Sequence, residues 1–330
     1  MPATAQRPIF EWEVRPNAFI PDVQTIAKSK GPRQTMQANG SISEMGYVAL
    51  QTRMFSESVR NATDIYGLFA VDSTDKKVYL SATDTHHEII YTKSDQDAVD
   101  HIGLVAPNVD ELDAIREKVR RGGWRILAEQ PIETHIESGF AFVGPEGFTW
   151  HVYLGMEKWD QRPGGFGPDR YGHINLLTHD TVGMKNFLVD TFDFRVSERV
   201  GTDVAFFLRC NVDHHGIAIF KKEKGPGVLH HHAWQTQSIV DLGRLGDRLR
   251  KDGRKLLWGP VRHGAGHNIA AYAVEPCGAV IELYTDLEFI YDRERAVFEW
   301  AEADPFWVNQ WDGQVPGDIF NYGIPPVDRS

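Results

Sequence analysis

Fourteen histidines occur in this 330-residue sequence, and nine of them fall between His173 and His267, under a third of the chain. Neutral imidazole is the commonest protein metal ligand and a ready acid–base group, so the second half is where chemistry is expected. Three positions there stand on apolar, strand-like segments: His173 in GHINLLT, the run His230-His231-His232 in LHHHAWQ, and Glu282 in VIELYTD. Two imidazoles and one carboxylate leave three positions open on an octahedral metal, the facial triad of non-haem Fe(II) oxygenases. One carboxylate against a divalent ion leaves a net +1, which an anionic substrate neutralises.

The elements that must bring these residues together are visible as an internal repeat. GYVALQTRMFSESVRNATDIYGLFAV at 46–71 aligns with GHINLLTHDTVGMKNFLVDTFDFRVS at 172–197, and VYLSATDTHHEIIYT at 78–92 with FFLRCNVDHHGIAIF at 206–220. DHIGLVAPNVDELDAIREKVRRGG at 100–123 aligns with HHAWQTQSIVDLGRLGDRLRKDG at 231–253, and FAFVGPEGFTWHVYL at 140–154 with AYAVEPCGAVIELYT at 271–285. The order is conserved at offsets of 126 to about 131 residues, so one module of about 120 residues is duplicated. Each module alternates period-two strands with a 3.6-periodic helix closed by glycine, and Gly/Pro turns separate the later strands. The expected pattern is βαβββ twice per module, an α+β fold whose paired units curl into an open barrel. The expected boundaries are an arm over 1–40, a first module over 41–158, a linker over 159–169, a second module over 170–290 and a tail over 291–330. Trp300, Trp307 and Trp311 make the tail too aromatic to be disordered, so it is expected to pack near the active site, contributing to the core rather than touching substrate.

Taken together, these segments resemble the type I extradiol ring-cleaving dioxygenases of the vicinal oxygen chelate superfamily, nearest to the homoprotocatechuate-cleaving branch. GHINLLT resembles the first-ligand strand and implies His173. LHHHAWQ resembles the family's His-His-x-Ala-Phe and implies His231, with the Asp241-Leu242-Gly243 downstream in register. EPCGAVIELYTD resembles the turn and strand that supply Glu282. FLRCNVDHHGIAIF implies His215 as the acid–base histidine, and GPVRHGAGHNIAAY implies His263 and Tyr272 as groups that hydrogen-bond substrate. Asn175, two residues beyond His173, resembles a pocket asparagine of that branch, whereas Trp258 stands where the branch has the arginine that holds a substrate carboxylate. The resemblance implies Fe(2+), with Mn(2+) as a possible substitute, a catecholic substrate cleaved with O2 beside its vicinal diol, and a homo-oligomer, dimer or tetramer. His215 is then the base for the substrate hydroxyl proton and later an acid, roles open to an imidazole of pKa near ~6.5. An isomerase or transferase of glyoxalase type, using Zn, Ni or Mn without O2, is the alternative.

Other residues receive plainer readings. Strand alternation turns His230 and His232 away from the side of His231, and His214 away from that of His215. His267 is expected on a surface loop. In the first module Tyr47, His101 and His151 stand at the ligand positions, and an empty duplicate is expected. Cys210 and Cys277 are expected as buried small side chains rather than a disulfide framework. The formal charge of −11 and the lack of a basic segment argue against nucleic acid as partner. No apolar run approaches a membrane span and MPATAQRPIFEWEV lacks the pattern of a secretory signal, so a cytoplasmic location is expected.

Overall fold

A computed structural model of the chain describes residues 40–159 and 166–329. Residues 1–39 of the expected arm and 160–165 of the expected linker lie outside the described residues. The rest forms four βαβββ units in tandem. The first contains β1 (Glu44–Thr52), α1 (Phe55–Arg60, continued by a π-turn over Asn61–Ile65), β2 (Phe69–Ser73), β3 (Lys77–Ser81) and β4 (Ile89–Lys93). The second contains β5 (Ala98–Val105), α2 (Val109–Arg121), β6 (Arg125–Ala128), β7 (Ile136–Val143) and β8 (Thr149–Met156). The third contains β9 (Arg170–Thr178), α3 (Thr181–Phe192), β10 (Arg195–Val200), β11 (Ala205–Arg209) and β12 (Ile217–Lys221). The fourth contains β13 (Val228–Gln235), α4 (Ile239–Lys251), β14 (Trp258–Arg262), β15 (Ile269–Val274) and β16 (Val280–Thr285). A short β17 (Phe298–Trp300) follows.

Two units share each sheet. The first module orders its strands β2-β3-β4-β1-β5-β8-β7-β6, and the second β14-β15-β16-β13-β9-β12-β11-β10-β17. The helices follow local signals. The Asn108 side chain accepts from Glu111 N–H at the start of α2, and Leu112, Ile115 and Val119 form its buried stripe. In α4 the Asp241 carboxylate accepts from Ser238 N–H at 3.1 Å, and Leu242, Leu245 and Leu249 are buried. Gly123 and Gly253, at φ +72° and +75°, take the left-handed turn that releases each helix from its basic last turn.

Both modules carry the same two devices at the centre of the sheet. A Cβ on Gly172 would lie 2.0 Å from the Tyr284 hydroxyl, and one on Gly46 would lie 2.3 Å from that of Tyr153, so a glycine admits a tyrosine at the same place in each. The second device is a bulge. In the β1–β5 pairing Ala49 faces His101 and Leu50 faces Val99, leaving Asp100 as the extra residue. In the β9–β13 pairing Asn175 faces His231 and Leu176 faces Leu229, leaving His230 as the extra residue. The tail returns across both modules: Leu229 and Ile324 exchange backbone hydrogen bonds, and Val99 N–H donates to Pro325 O at 2.8 Å. Among the described residues no helix is long and apolar enough to cross a membrane.

Candidate active site

The second sheet curves around a cleft with about 520 Å³ of empty space, into which His173 of β9, His231 of β13 and Glu282 of β16 project. Register accounts for the convergence: Ala233 pairs with both His173 and Glu282, so those two flank β13 at one level, with His231 two residues along. His173 Nε2 and His231 Nε2 each lie 3.1 Å from Glu282 Oε2, and all three side chains are buried. Burial opposes ionisation of Glu282, yet the imidazoles of His173 and His231 hold its carboxyl well below the usual carboxylate range. Asn268 Nδ2 donates to Glu282 Oε1 at 3.0 Å and so leaves Oε2 facing the imidazoles.

Hydrogen-bond direction fixes the form of His231. The Ile319 carbonyl can only accept, so His230 Nε2, 2.7 Å away, carries hydrogen. His230 Nδ1 must then accept from His231 Nδ1, 2.8 Å away, which turns His231 Nε2 toward Glu282. Two imidazole nitrogens thus converge at 3.1 Å on one oxygen of a buried carboxylate. Two imidazoles and a carboxylate within 4.8 Å of one another are a donor set that fits a divalent transition metal.

His230 corrects the reading from strand alternation. The bulge turns it to the same side as His231, and it lines the cleft. His232 does point away: its Nδ1 accepts from Trp234 Nε1 at 2.8 Å and its Nε2 lies 3.3 Å from Glu275. The remaining expected residues are all in the cleft. The His215 ring lies 4.3 Å from that of His173, and burial, with smaller contributions from His173 and His214, lowers its pKa so that it stays neutral. Asn175 is fully buried, and neither its Oδ1 nor its Nδ2 has a partner among the described residues. His263 donates from Nδ1 to Val308 O at 2.6 Å, so its Nε2 accepts from the Tyr272 hydroxyl at 2.7 Å. Trp258 stacks on Tyr272 at 5.4 Å between centroids. His267 is exposed on the loop before β15.

The tail contributes more than core. Trp307, Val308, Ile319 and Phe320 line the cleft, whereas Trp311 is exposed and Trp300 donates to Glu198. The expectation of core packing alone thus fails for Trp307. These tail residues and Asn268 were missed in the sequence. The tail lacks periodicity to place it, and Asn268 lies in a loop.

In the first module the Tyr47 hydroxyl sits 2.9 Å from His101 Nε2 and 2.5 Å from His151 Nδ1. The bulged Asp100 bonds His101 Nδ1 at 2.7 Å, and Lys77 occupies Glu133, which lies 3.7 Å from His101. Most polar groups of this cradle thus serve one another, although His151 Nε2 has no hydrogen-bond partner among the described residues.

The glyoxalase/bleomycin resistance protein/dioxygenase superfamily model matches residues 44–152 and 170–283, and the chain belongs to that superfamily. It is 26% identical over 287 residues to a manganese-dependent 2,3-dihydroxybiphenyl 1,2-dioxygenase of Geobacillus genomosp. 3, covering 80% of this chain and 91% of that one. A metapyrocatechase of Geobacillus stearothermophilus is 23% identical over 76% of this chain and 82% of its own. Among solved structures, a Mn(II)-bound glyoxalase from Novosphingobium aromaticivorans superposes with TM-score 0.77 at 29% identity, covering 83% and 91% of the two chains. Homoprotocatechuate 2,3-dioxygenase from Brevibacterium fuscum superposes with TM-score 0.82 at 21% identity, covering 90% and 97%.

Proposed function

We propose that the protein is an extradiol dioxygenase that cleaves a catecholic ring beside its vicinal diol, with a divalent metal held by His173, His231 and Glu282. The observation that carries the reading is the convergence of His173 and His231 at 3.1 Å on one oxygen of the buried Glu282, beside a cleft that also holds a neutral imidazole and an asparagine unpartnered among the described residues. Fe(II) is the ion proposed; the relatives named for manganese make Mn(II) the competitor. The metal would supply adjacent sites for the diol and O2 and a path for electrons between them. The cradle of the first module is proposed to hold no ion, and the protein to form a dimer or tetramer.

The protein's own side chains then have distinct tasks. His215, neutral and facing the cleft, takes the proton of a substrate hydroxyl and returns it later. The Tyr272 oxygen, its proton given to His263, accepts from a substrate hydroxyl until that proton leaves. Asn175 offers both a donor and an acceptor that no group among the described residues uses. Phe207, Phe220, Trp307, Val308 and Phe320 give the cleft apolar walls, and among the described residues no lysine or arginine lines it. A catechol with an uncharged, apolar substituent fits these walls better than an acidic one.

Anaerobic loading with Fe(II) or Mn(II), followed by air and a panel of catechols, tests the proposal. One O2 consumed per catechol with appearance of a yellow ring-opened product is expected. Turnover of a thiol adduct with Zn or Ni and no O2 uptake would move the protein to the glyoxalase-type isomerases.

A further inference from the structure

The first module carries a second cluster of ligand-type side chains, at the rim of its sheet and outside the Tyr47 cradle. The curl of that sheet brings its ends together: β2 stands first in the strand order and β6 last. Asp72 lies in β2, His86 in the β3–β4 connection and His135 in the β6–β7 connection. A carboxylate oxygen of Asp72 and one ring nitrogen from each histidine lie within 4.8 Å of one another. The two imidazoles are stacked, with 3.9 Å between centroids and 12° between planes. His86 is buried, and its Nε2, 4.0 Å from Asp72 Oδ2, has no hydrogen-bond partner among the described residues. A buried ring nitrogen without a partner is costly unless something outside the protein serves it.

We propose that Asp72, His86 and His135 form a second metal site, which takes a divalent transition ion such as Zn(II) and ties the two ends of the first sheet together. Burial, and after it His135, hold the His86 pKa below its ordinary value, so the ring stays neutral, the form that binds metals. Its Nδ1 lies 2.9 Å from His87 Nδ1, which anchors the ring from behind. Asp72 Oδ1 accepts from Ser73 N–H at 2.7 Å, and Oδ2 is the oxygen turned toward His86. Glu157 bonds His135 Nδ1 and brings a second carboxylate to the group. Among the described residues no lysine or arginine pairs with Asp72 or Glu157, and a divalent ion would balance the two. Tetrahedral donors around Zn(II) sit about 3.3–3.5 Å apart, so the group has to close by roughly 1 Å. Asp72 and His135 are partly exposed, which leaves them room to move inward.

The second module serves the same corner differently. Glu198 takes the place of Asp72, each following the bulge in its own hairpin, β10–β11 and β2–β3. Arg295 stands 3.8 Å from Glu198 and 2.6 Å from Glu288, and Trp300 Nε1 donates to Glu198 Oε2 at 2.6 Å. A guanidinium and an indole thus satisfy that carboxylate, and no ion is called for. Among the described residues Asp72 has neither.

Zinc uptake by the full chain, measured by equilibrium dialysis and elemental analysis, tests the proposal without substrate. Two Zn(II) per chain are expected, one at His173, His231 and Glu282 and one at the rim. His231→Ala should keep the rim ion alone, and Zn(II) at about 100 times its Kd should then raise Tm by roughly 5 °C. His135→Asn and Asp72→Asn should each lose the rim ion and bind one. Asparagine tolerates the left-handed backbone of His135 at φ +59°, and both side chains are partly exposed, so neither change threatens the fold. Either change added to His231→Ala should abolish both the remaining uptake and the rise in Tm. Failure of His231→Ala to take up zinc overturns the proposal, and so does an undiminished count in His135→Asn and Asp72→Asn. One ion per chain that survives His231→Ala and disappears in His135→Asn would support the rim site and defeat the metal centre of the proposed function.

Discussion

Replacing His230 by phenylalanine isolates the bulged histidine from the ligand it supports. The ring is similar in width, so what is removed is the pair of hydrogen bonds, 2.8 Å to His231 and 2.7 Å to the Ile319 carbonyl. The buried Ile319 carbonyl of the tail loses its donor, and His231 must leave Nδ1–H unpaired or shift its hydrogen to Nε2. An unpaired buried donor costs about 1–3 kcal/mol. The tautomer shift instead places a proton between His231 and Glu282, which an incoming metal must displace. Either route weakens metal binding by roughly 10–100-fold, the usual effect of losing a partner behind a ligand. Competition against a fluorescent chelator near pH 7.5 measures it, with thermal melting of the metal-free protein as a control for folding. His232→Ala serves as the contrast, because His232 bonds Trp234 and faces Glu275 on the opposite side of the strand. It should cost stability and leave metal affinity unchanged. A His230→Phe protein that holds its metal within about twofold of the parent would refute the reasoning from hydrogen-bond direction.

Three further outcomes are expected. His215→Asn should retain metal and catechol while the oxygen-dependent steps slow by about 10²–10⁴-fold, read by mixing the anaerobic substrate complex with O2; an unchanged single-turnover rate removes it from the mechanism. Trp258→Arg sets a guanidinium beside Tyr272 and His263, so kcat/KM for a carboxylate-bearing catechol should rise at least about tenfold relative to an uncharged one, by about 1.4 kcal/mol of selective binding. His87 is buried with its pKa lowered to about 2, first by desolvation and then by His86 and neighbouring histidines. The unfolded chain takes up this proton near pH ~6.5 and the folded chain does not, so the stability His87 supports is lost as pH falls below that value. His87→Phe should therefore show a flatter decline of denaturation midpoint between about pH 6.5 and 4, and an identical slope would show that His87 does not titrate on unfolding.

The proposed metal-binding positions were legible because strand alternation, the duplicated glycine and the Ala233 register all act locally. Once the repeat is aligned, His173, His231 and Glu282 fall on three neighbouring strands. His230 was not legible, because a bulge shifts side-chain alternation without leaving a mark on residue type. Aligning the bulges would have helped: Asp100 and His230 occupy the same place, and each bonds Nδ1 of the histidine that follows. The tail was illegible for a different reason. Val308 and Ile319 act through backbone carbonyls, for which residue type carries no information. Trp258 was visible as a departure from the expected arginine, and its stacking on Tyr272 gives that departure a structural meaning.

Two copies of one cradle also explain how a small set of exchanges decides which of them is open. In the first, Tyr47 takes the place of His173, and Gly103 takes that of Ala233 on the neighbouring strand. The two exchanges belong together, since a Cβ on Gly103 would stand 2.3 Å from the Tyr47 ring. The ring fills the centre and its hydroxyl occupies both histidines. Tyr47→His alone would vacate the centre but leave His151 where the second module has Glu282, so the three positions would carry no negative charge to offset a divalent ion. Asp100 and Glu133 do carry charge nearby, but Arg329 and Lys77 already balance it. In the second cradle a buried carboxylate faces two imidazoles, one of them held from behind through His230 by a carbonyl of the tail. Shape is common to both halves; placement of charge and of hydrogen-bond acceptors is what separates them.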